Sequence, residues 1–353
     1  MWTGIISLKK TRKSPMKTIA VICGGDSSER EVSVLSTLNT LKHIDRQKYY
    51  PVIVFIEGTC WYVLSAEGQT SESVLKHEDA STVDKNDFSF EDPKTKERNR
   101  FDAALIMIHG TPGENGLLQG YLEMLKVPFT SCSSFVSAIT FDKHSCKRFL
   151  DFAGVKMAAD IFISKNRPYS LREIIRQVGL PMFVKPTVGG SSFGVTKVKT
   201  EDDLQSAIDK AFSECGTILA EAAVTGREMT CGVFMFHGKI TALPVTEIVT
   251  EREFFDYEAK YMGESQEICP ARITPALSAK IQNLTEQIYS YMGCRGVVRM
   301  DYIVTEKNDI YFLETNTVPG MTEMSLVPNM LRVAGIDIMD FITSLIEEAF
   351  VPR

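Results

Sequence analysis

Two short stretches near the end of the chain decide its fold: VVRMDYIV at residues 297–304 and IYFLETN at 310–316. Both read as strands. Along a strand, residues two apart point to the same face. Arg299 and Asp301 therefore share a face of the first, and Glu314 and Asn316 a face of the second. If the two strands pair, two carboxylates, an amide oxygen and a guanidinium meet at one spot. Hard oxygen donors of this kind hold Mg²⁺ and leave positions open for nucleotide phosphates. The guanidinium can meet negative charge that builds up during a transfer. Taken singly, either segment also reads as a polar edge strand with ordinary surface ion pairs.

Upstream, VKPTVGGSSFGVTKV (184–198) is a strand, a glycine- and serine-rich turn and a second strand. Adjacent glycines let backbone N–H groups approach an anion, and Lys185 adds a point charge at the end of the first strand. A hairpin whose glycines only make the turn remains open on this segment alone. GxxxxGK[ST] is absent, and GGDSSE at 24–29 is not GxGxxG, which disfavours a dinucleotide dehydrogenase. Lys143 lies near the start of a helix, where a solvated surface lysine is the default. HGTPGENG (109–116) follows a buried strand and puts His109 at the carboxyl end of a sheet, where open α/β folds bind ligands. In VPGMTEMSLVP (318–328), Gly320 offers a backbone N–H. Ser325 begins a helix whose N-terminus would attract a carboxylate.

The chain opens with a βαβ pattern. Residues 17–23 are a continuous apolar run of the buried parallel-strand type. A helix follows, with Ser27 or Ser28 as its cap and Val32, Leu35, Leu38 and Leu41 as its apolar stripe. YPVIVFIE (50–57) is the next strand, and FDAALIMIHG (101–110) the third. Residues 66–100 read as a loop with a short hairpin. Helices are expected over 133–152, 170–178, 276–292 and 339–350. Antiparallel strands should turn at His237-Gly238. Residues 250–263 are irregular and rich in Tyr, Phe and Glu, which makes them the lid candidate.

At 353 residues the length predicts two or three domains. A net charge of −6 argues against nucleic acid as a partner. The eight cysteines are scattered without a CxxC pair, which disfavours a zinc site and reads as reduced thiols of a cytoplasmic protein. No apolar run reaches the roughly 20 residues that span a bilayer. Residues 1–15 read as an extension outside the fold.

The order GGDSSEREVS, HGTPGENGLLQG, VPFTSCSS…TFDK, VKPTVGGSSFG, EAAVTGREMT, FFDYEAKY…CPA, GVVRMDY and YFLETNTVPGMTEMSLVP resembles the D-alanine–D-alanine ligase family of the ATP-grasp superfamily over about residues 17–350. The resemblance implies three domains: an N-terminal open α/β domain (16–130), a central domain (131–221) and a C-terminal domain (222–353). ATP would be clasped between the β-sheets of the last two. Lys143 and Lys185 would contact its phosphates, and Lys260 would reach them from a mobile loop. Glu221 and Val224 would border the adenine, and Glu228 would take the ribose hydroxyls. Asp301, Glu314 and Asn316 would hold two Mg²⁺ (or Mn²⁺) ions. Glu29 would accept the ammonium of the first D-alanine, His109 would help to orient it, and Ser191 and Tyr261 would complete a network closing the loop. Arg299 and the N–H of Gly320 would form the oxyanion site. Ser325, next to Leu326, would bind the carboxylate of the second D-alanine.

Tyr261 and Leu326 favour alanine as the second substrate, because relatives that take D-lactate or D-serine differ there. The family implies a homodimer that acts on D-alanine and ATP, with no nucleic acid or membrane partner. The sequence departs from many relatives at Glu221-Ala222-Ala223-Val224, which lacks a lysine and an aromatic after the glutamate. It departs again at VGGSSFG, which lacks a charged residue before the serines. A D-alanine–D-lactate ligase or another ATP-grasp carboxylate–amine ligase is the alternative within the same fold.

Overall fold

The structure is a computed structural model that describes residues 16–78, 80–190, 193–250 and 265–353. Ser191, Lys260 and Tyr261, the extension 1–15 and nearly all of the lid candidate lie outside the described residues. The described elements form three main sheets, each with its own packed helices.

The first sheet belongs to the N-terminal part. Its elements are β1 (Lys17–Gly24), α1 (Arg30–Leu41), β2 (Tyr49–Glu57), β3 (Cys60–Ser65), α2 (Ser71–Lys76), β4 (Ser81–Thr82), β5 (Ser89–Glu91), β6 (Arg98–Arg100), β7 (Ala103–Ile106) and α3 (Leu117–Met124). The order is β4-β3-β2-β1-β7, with β1 parallel to both neighbours. Ile19 through Cys23 have no exposed surface, as a central parallel strand covered on both faces requires. The 66–100 stretch holds the β5–β6 hairpin, and also α2 and β4.

Helix α1 departs from its sequence reading in two ways. Its N-cap is Glu29, without a side-chain cap. The Ser27 hydroxyl instead donates to the carbonyl of His109 at 2.7 Å. The buried face is also only partly the predicted stripe: Leu41 is buried and Leu38 packs on the core, but Leu35 is 47% exposed, while Ser33, Ser36, Thr37, Asn39 and Thr40 are buried. These short polar side chains are inside because they anchor loops. Ser33 Oγ accepts from Gly24 N–H and donates to the carbonyl of Met107, and Asn39 Nδ2 donates to the carbonyl of Met321 at 2.9 Å.

The helical stretch 133–152 is two helices, α4 (Ser134–Phe141) and α5 (Lys143–Asp151). Asp142 breaks it with an extended backbone and caps α5 by accepting from Ser145 N–H at 2.7 Å. The break places Lys143 at the first position of α5. The second sheet follows: β8 (Asp160–Ser164), α6 (Leu171–Val178), β9 (Met182–Pro186), β10 (Thr196–Val198), α7 (Leu204–Glu214) and β11 (Thr217–Ala222), in the antiparallel order β10-β9-β11-β8.

The third sheet contains β12 (Arg227–Phe236), β13 (Lys239–Ala242), β14 (Thr246–Thr250), β15 (Ser265–Ile268), β16 (Val298–Val304) and β17 (Ile310–Asn316), in the order β15-β14-β12-β16-β17 with β13 on β12. The β12–β13 turn is His237-Gly238, both at positive φ. Helix α8 (Pro275–Met292) starts on the Thr274 cap with proline at its first position and stops at Gly293 in the left-handed region. Helices α9 (Leu326–Ala334) and α10 (Ile338–Ala349) close the chain. Val136, Cys146 and Leu150 of α4 and α5 share a core with α8, β12 and β16, so this helical pair packs on the third sheet.

Candidate active site

Strands β16 and β17 pair antiparallel with Arg299 opposite Asn316 and Asp301 opposite Glu314. The four groups that the sequence placed on two strand faces therefore lie side by side. Arg299 grips Asp301 as a fork: Nε donates to Oδ1 at 3.0 Å and Nη2 to Oδ2 at 2.9 Å. Asn316 Nδ2 donates to Asp301 Oδ2 at 3.1 Å. The Thr230 hydroxyl, from the facing position on β12, donates to Oδ1 at 2.6 Å. Glu314 lies 3.8 Å from Lys143 Nζ. Burial opposes the charge of the Arg299 guanidinium, but Asp301 outweighs it and raises the pKa.

This row divides two cavities. The larger, of 630 Å³, lies between the second and third sheets and has the size of a small-molecule site. Lys143, Lys185, Glu221, Val224, Glu228, Asp301 and Glu314 all line it. The smaller, of 270 Å³, lies against the first sheet and is lined by Glu29, His109, Arg299, Gly320, Ser325 and Leu326 among others. Lys143, Gly189, Gly190 and Glu314 line both cavities. Lys143 Nζ also donates to the carbonyl of Gly189 at 2.8 Å, which ties α5 to the glycine turn.

The donor set fits a hard divalent cation. Among the described residues no cluster of three or more His, Cys, Asp or Glu side chains could hold a metal. Two carboxylates and an amide on the wall between the two cavities instead match Mg²⁺, which takes few protein ligands and keeps water or phosphate oxygens for the rest.

The loop carrying Gly320 and Ser325 is held from several sides. A Cβ on Gly320 would meet Ser325 Oγ at 2.8 Å, so only glycine lets the two approach. Ser325 Oγ accepts from Thr322 N–H at 3.0 Å, and its residue is the N-cap of α9. His109 is buried, with Nδ1 2.7 Å from the carbonyl of Val318 and Nε2 3.3 Å from Ser36 Oγ. The carbonyl can only accept, so Nδ1 carries the proton and Nε2 accepts from Ser36. Burial lowers the His109 pKa, in keeping with this neutral tautomer. With both ring nitrogens bound to protein, His109 positions the loop and offers no free ring donor to a substrate.

Four further residues at the site were given no role from sequence. Lys147 lies one turn after Lys143 on α5, a spacing that puts both on one face. Its ammonium is buried 2.5 Å from Asp160 and 2.9 Å from Glu221. Lys185 reaches the other oxygen of Glu221 at 3.3 Å. Burial pushes Glu221 up, but Lys185 and Lys147 hold it below the ordinary carboxylate range. Thr230 had no signal in the sequence. Glu267 on β15 lines the smaller cavity.

Glu114 stood inside a quoted motif. It accepts from Gly110 N–H at 2.7 Å and from Val318 N–H at 3.1 Å, joining the first sheet to the glycine loop. Burial raises its pKa from 4.5 to about 7. A raised folded pKa stabilises below the unfolded value and is lost as pH rises through the folded one. Stability should therefore fall between about pH 5 and 8, and Glu114→Gln should flatten that slope. Glu114→Ala strands both N–H groups and should cost about 1–3 kcal/mol for each. Urea melts at pH 5.5 and 8 check both, and a pH-independent difference between wild type and Glu114→Gln would remove the linkage.

Comparison with known proteins follows the same lines. The family model for the D-ala D-ala ligase N-terminus matches residues 18–132, and that for the D-ala D-ala ligase C-terminus matches 150–347. A D-alanine–D-alanine ligase of Phocaeicola vulgatus is 45% identical over 334 residues, covering 95% of this chain and 99% of that protein. One from Bacteroides thetaiotaomicron is also 45% identical, with the same coverage. Among solved structures, the VanG D-Ala:D-Ser ligase from Enterococcus faecalis superposes with a TM-score of 0.84 at 30% identity, covering 95% of this chain and 99% of that one. The D-alanine–D-alanine ligase from Coxiella burnetii gives 0.83 at 26% identity, covering 95% and 94%. The three sheets described above form an ATP-grasp fold, and the chain belongs to the D-alanine–D-alanine ligase family.

Proposed function

We propose that the protein joins two D-alanines at the expense of ATP and supplies D-alanyl-D-alanine for peptidoglycan precursors. The observation that carries this reading is the shared wall of the two cavities. Lys143, the glycine turn and Glu314 face both, so a phosphoryl group held in the larger cavity can reach a carboxylate held in the smaller.

In this reading ATP occupies the larger cavity. Its adenine lies by Glu221 and Val224, its ribose by Glu228, and its phosphates by Lys143 and Lys185. The side chains missing at Ala222-Ala223 are not required, because backbone hydrogen bonds to an adenine edge do not need them. Asp301, Glu314 and Asn316 would hold two Mg²⁺ (or Mn²⁺) ions, which supply charge neutralisation between the phosphates. Glu29 takes the ammonium of the first D-alanine. The carboxylate of that D-alanine attacks the terminal phosphorus of ATP and ADP leaves, giving an acyl phosphate. The second D-alanine, whose carboxylate rests at Ser325 beside Leu326, gives up one ammonium proton to solvent; its free amine attacks the acyl carbon, and the nitrogen's surplus proton goes to the leaving phosphate. Arg299 and Gly320 N–H face the oxyanion that forms, and phosphate departs. His109 contributes by fixing Val318. Lys260 keeps the phosphate contact, and Ser191 and Tyr261 the loop-closing network, that the family resemblance gives them, because an acyl phosphate must be shielded from water.

A cytoplasmic homodimer is part of the same proposal. No described helix is long and apolar enough to cross a membrane. The net charge of −6 gives no footprint for nucleic acid.

The test is phosphate release from Mg-ATP by the purified protein with D-alanine, L-alanine, D-alanine plus D-lactate, or no amino acid, with products identified by mass. Turnover only where D-alanine is present, yielding the dipeptide, is the expected result. Depsipeptide as the main product of the mixed reaction would make the protein a D-alanine–D-lactate ligase. No turnover with clear ATP binding would overturn the reading.

A further inference from the structure

The acyl acceptor poses an electrostatic problem. It enters as a zwitterion, and its ammonium must approach the acyl carbon beside the Arg299 guanidinium. Like charges at that distance repel, most of all in a partly dehydrated cavity. An anion on the acceptor side would cancel the repulsion.

The smaller cavity has four carboxylates on its lining: Glu29, Glu114, Glu267 and Glu314. Three are committed. Glu114 is bound to two backbone N–H groups. Glu314 faces Lys143 and belongs to the cation-binding row. Glu29 lies at the glycine turn, where a Cβ on Gly190 would come within 3.5 Å of its Oε2, and it is assigned to the first substrate. Glu267 is different. It is half-buried on β15, and among the described residues its carboxylate makes no hydrogen bond or ion pair, only a longer-range interaction with Arg299. Burial raises its pKa and Arg299 opposes the shift, which fits a carboxylate facing a guanidinium across open space. A half-buried carboxylate without a partner loses hydration for no visible structural gain. A cationic ligand group between it and Arg299 would restore the balance.

We infer that Glu267 is a specificity residue of the acceptor subsite, where its carboxylate holds the ammonium of the second amino acid and selects an amine over a hydroxy acid. The inference rests on the ligase reading above. D-lactate offers a neutral hydroxyl at the same place, which can hydrogen-bond to the anion but brings no positive charge to it, so Glu267 discriminates by charge where apolar contacts with a methyl group cannot.

The experiment compares wild type with Glu267→Gln and Glu267→Asp, using the full chain with Mg-ATP. Steady-state rates against D-alanine separate the KM values of the two subsites. Mass spectrometry of a D-alanine plus D-lactate mixture gives the ratio of dipeptide to depsipeptide. Glu267→Gln should raise the acceptor KM about tenfold, the scale of one charge-assisted hydrogen bond, with the donor and ATP KM values unchanged. The dipeptide share of the mixed product should fall by a similar factor, and Glu267→Asp should recover part of both. A Glu267→Gln protein with wild-type melting temperature, acceptor KM and product ratio overturns the inference alone. A wild type that forms no dipeptide overturns the ligase reading, and this inference with it.

Discussion

Arg299→Ala should lower kcat by about 10²–10³-fold, the loss typical of one preorganised oxyanion donor. The expectation follows from where the guanidinium sits. It is gripped by both oxygens of Asp301, half-buried, and lines the smaller cavity. Its position is thus fixed before any oxyanion forms, and no reorganisation is needed when the charge appears. Arg299→Lys keeps the charge but not the fork. An ammonium can follow Asp301 or face the cavity, not both, so it should recover only part of the rate. The same change has a stability side. Asp301, Glu314, Glu114 and Glu267 all feel the Arg299 charge, and its removal leaves buried Asp301 and three half-buried glutamates without that cation. Mg-ATP should therefore raise the melting temperature of Arg299→Ala more than that of wild type, because bound cations replace the missing charge. Kinetics together with thermal melts, each with and without Mg-ATP, decide it. A variant within threefold of wild-type kcat would remove Arg299 from the reacting centre.

The parts of this site that were legible in sequence are those set by strand alternation. Period two fixes which of Arg299, Asp301, Glu314 and Asn316 share a face, and one pairing then brings them together. The glycine turn at 189–190 and the histidine–glycine hairpin were legible because their conformations demand particular residues. The buried face of helix α1 is legible only in part, for an equally physical reason. A stripe of leucines predicts a buried face only where the neighbour is apolar. Here the neighbours are loop backbones with unpaired N–H and C=O groups, and buried serines and asparagine satisfy them. The split at Asp142 was hidden because α4 and α5 each carry a helical pattern, and the aspartate that caps the second interrupts neither. Glu114, Thr230 and Lys147 act through contacts with residues far away in the chain, and no local spacing encodes those. Lys147 alone left a trace, its one-turn offset from Lys143.

That buried lysine leads to the other large effect: Lys147→Met should destabilise the protein by about 3–5 kcal/mol, the usual result of removing one partner from a buried ion cluster. All three ammonium hydrogens have acceptors, on Asp160, on Glu221 and on the carbonyl of Ala158 at 2.9 Å. Methionine fills the volume but leaves two carboxylates facing each other. Asp160 keeps Arg148, which is half-exposed and screened by water, and Glu221 keeps Lys185. A loss of this size is a large share of a typical stability of about 5–15 kcal/mol and should lower the melting temperature by roughly 5 °C. Its pH dependence identifies the cause. In wild type the folded-state pKa of Glu221 lies below the ordinary value. Its stabilisation is therefore present above the unfolded pKa and lost as pH falls through the folded one. In the variant the push of burial meets Lys185 alone, so the folded pKa rises and the protein suffers most at neutral pH and above. The gap between wild type and Lys147→Met should thus be widest near pH 7.5 and narrow as Glu221 takes up a proton in acid. Adding Glu221→Gln to Lys147→Met should return about 1–3 kcal/mol through the coupling of neighbouring groups. An equal gap at pH 4.5 and 7.5, with no return in the double variant, would mean that the lysine matters for its packing and not for its charge.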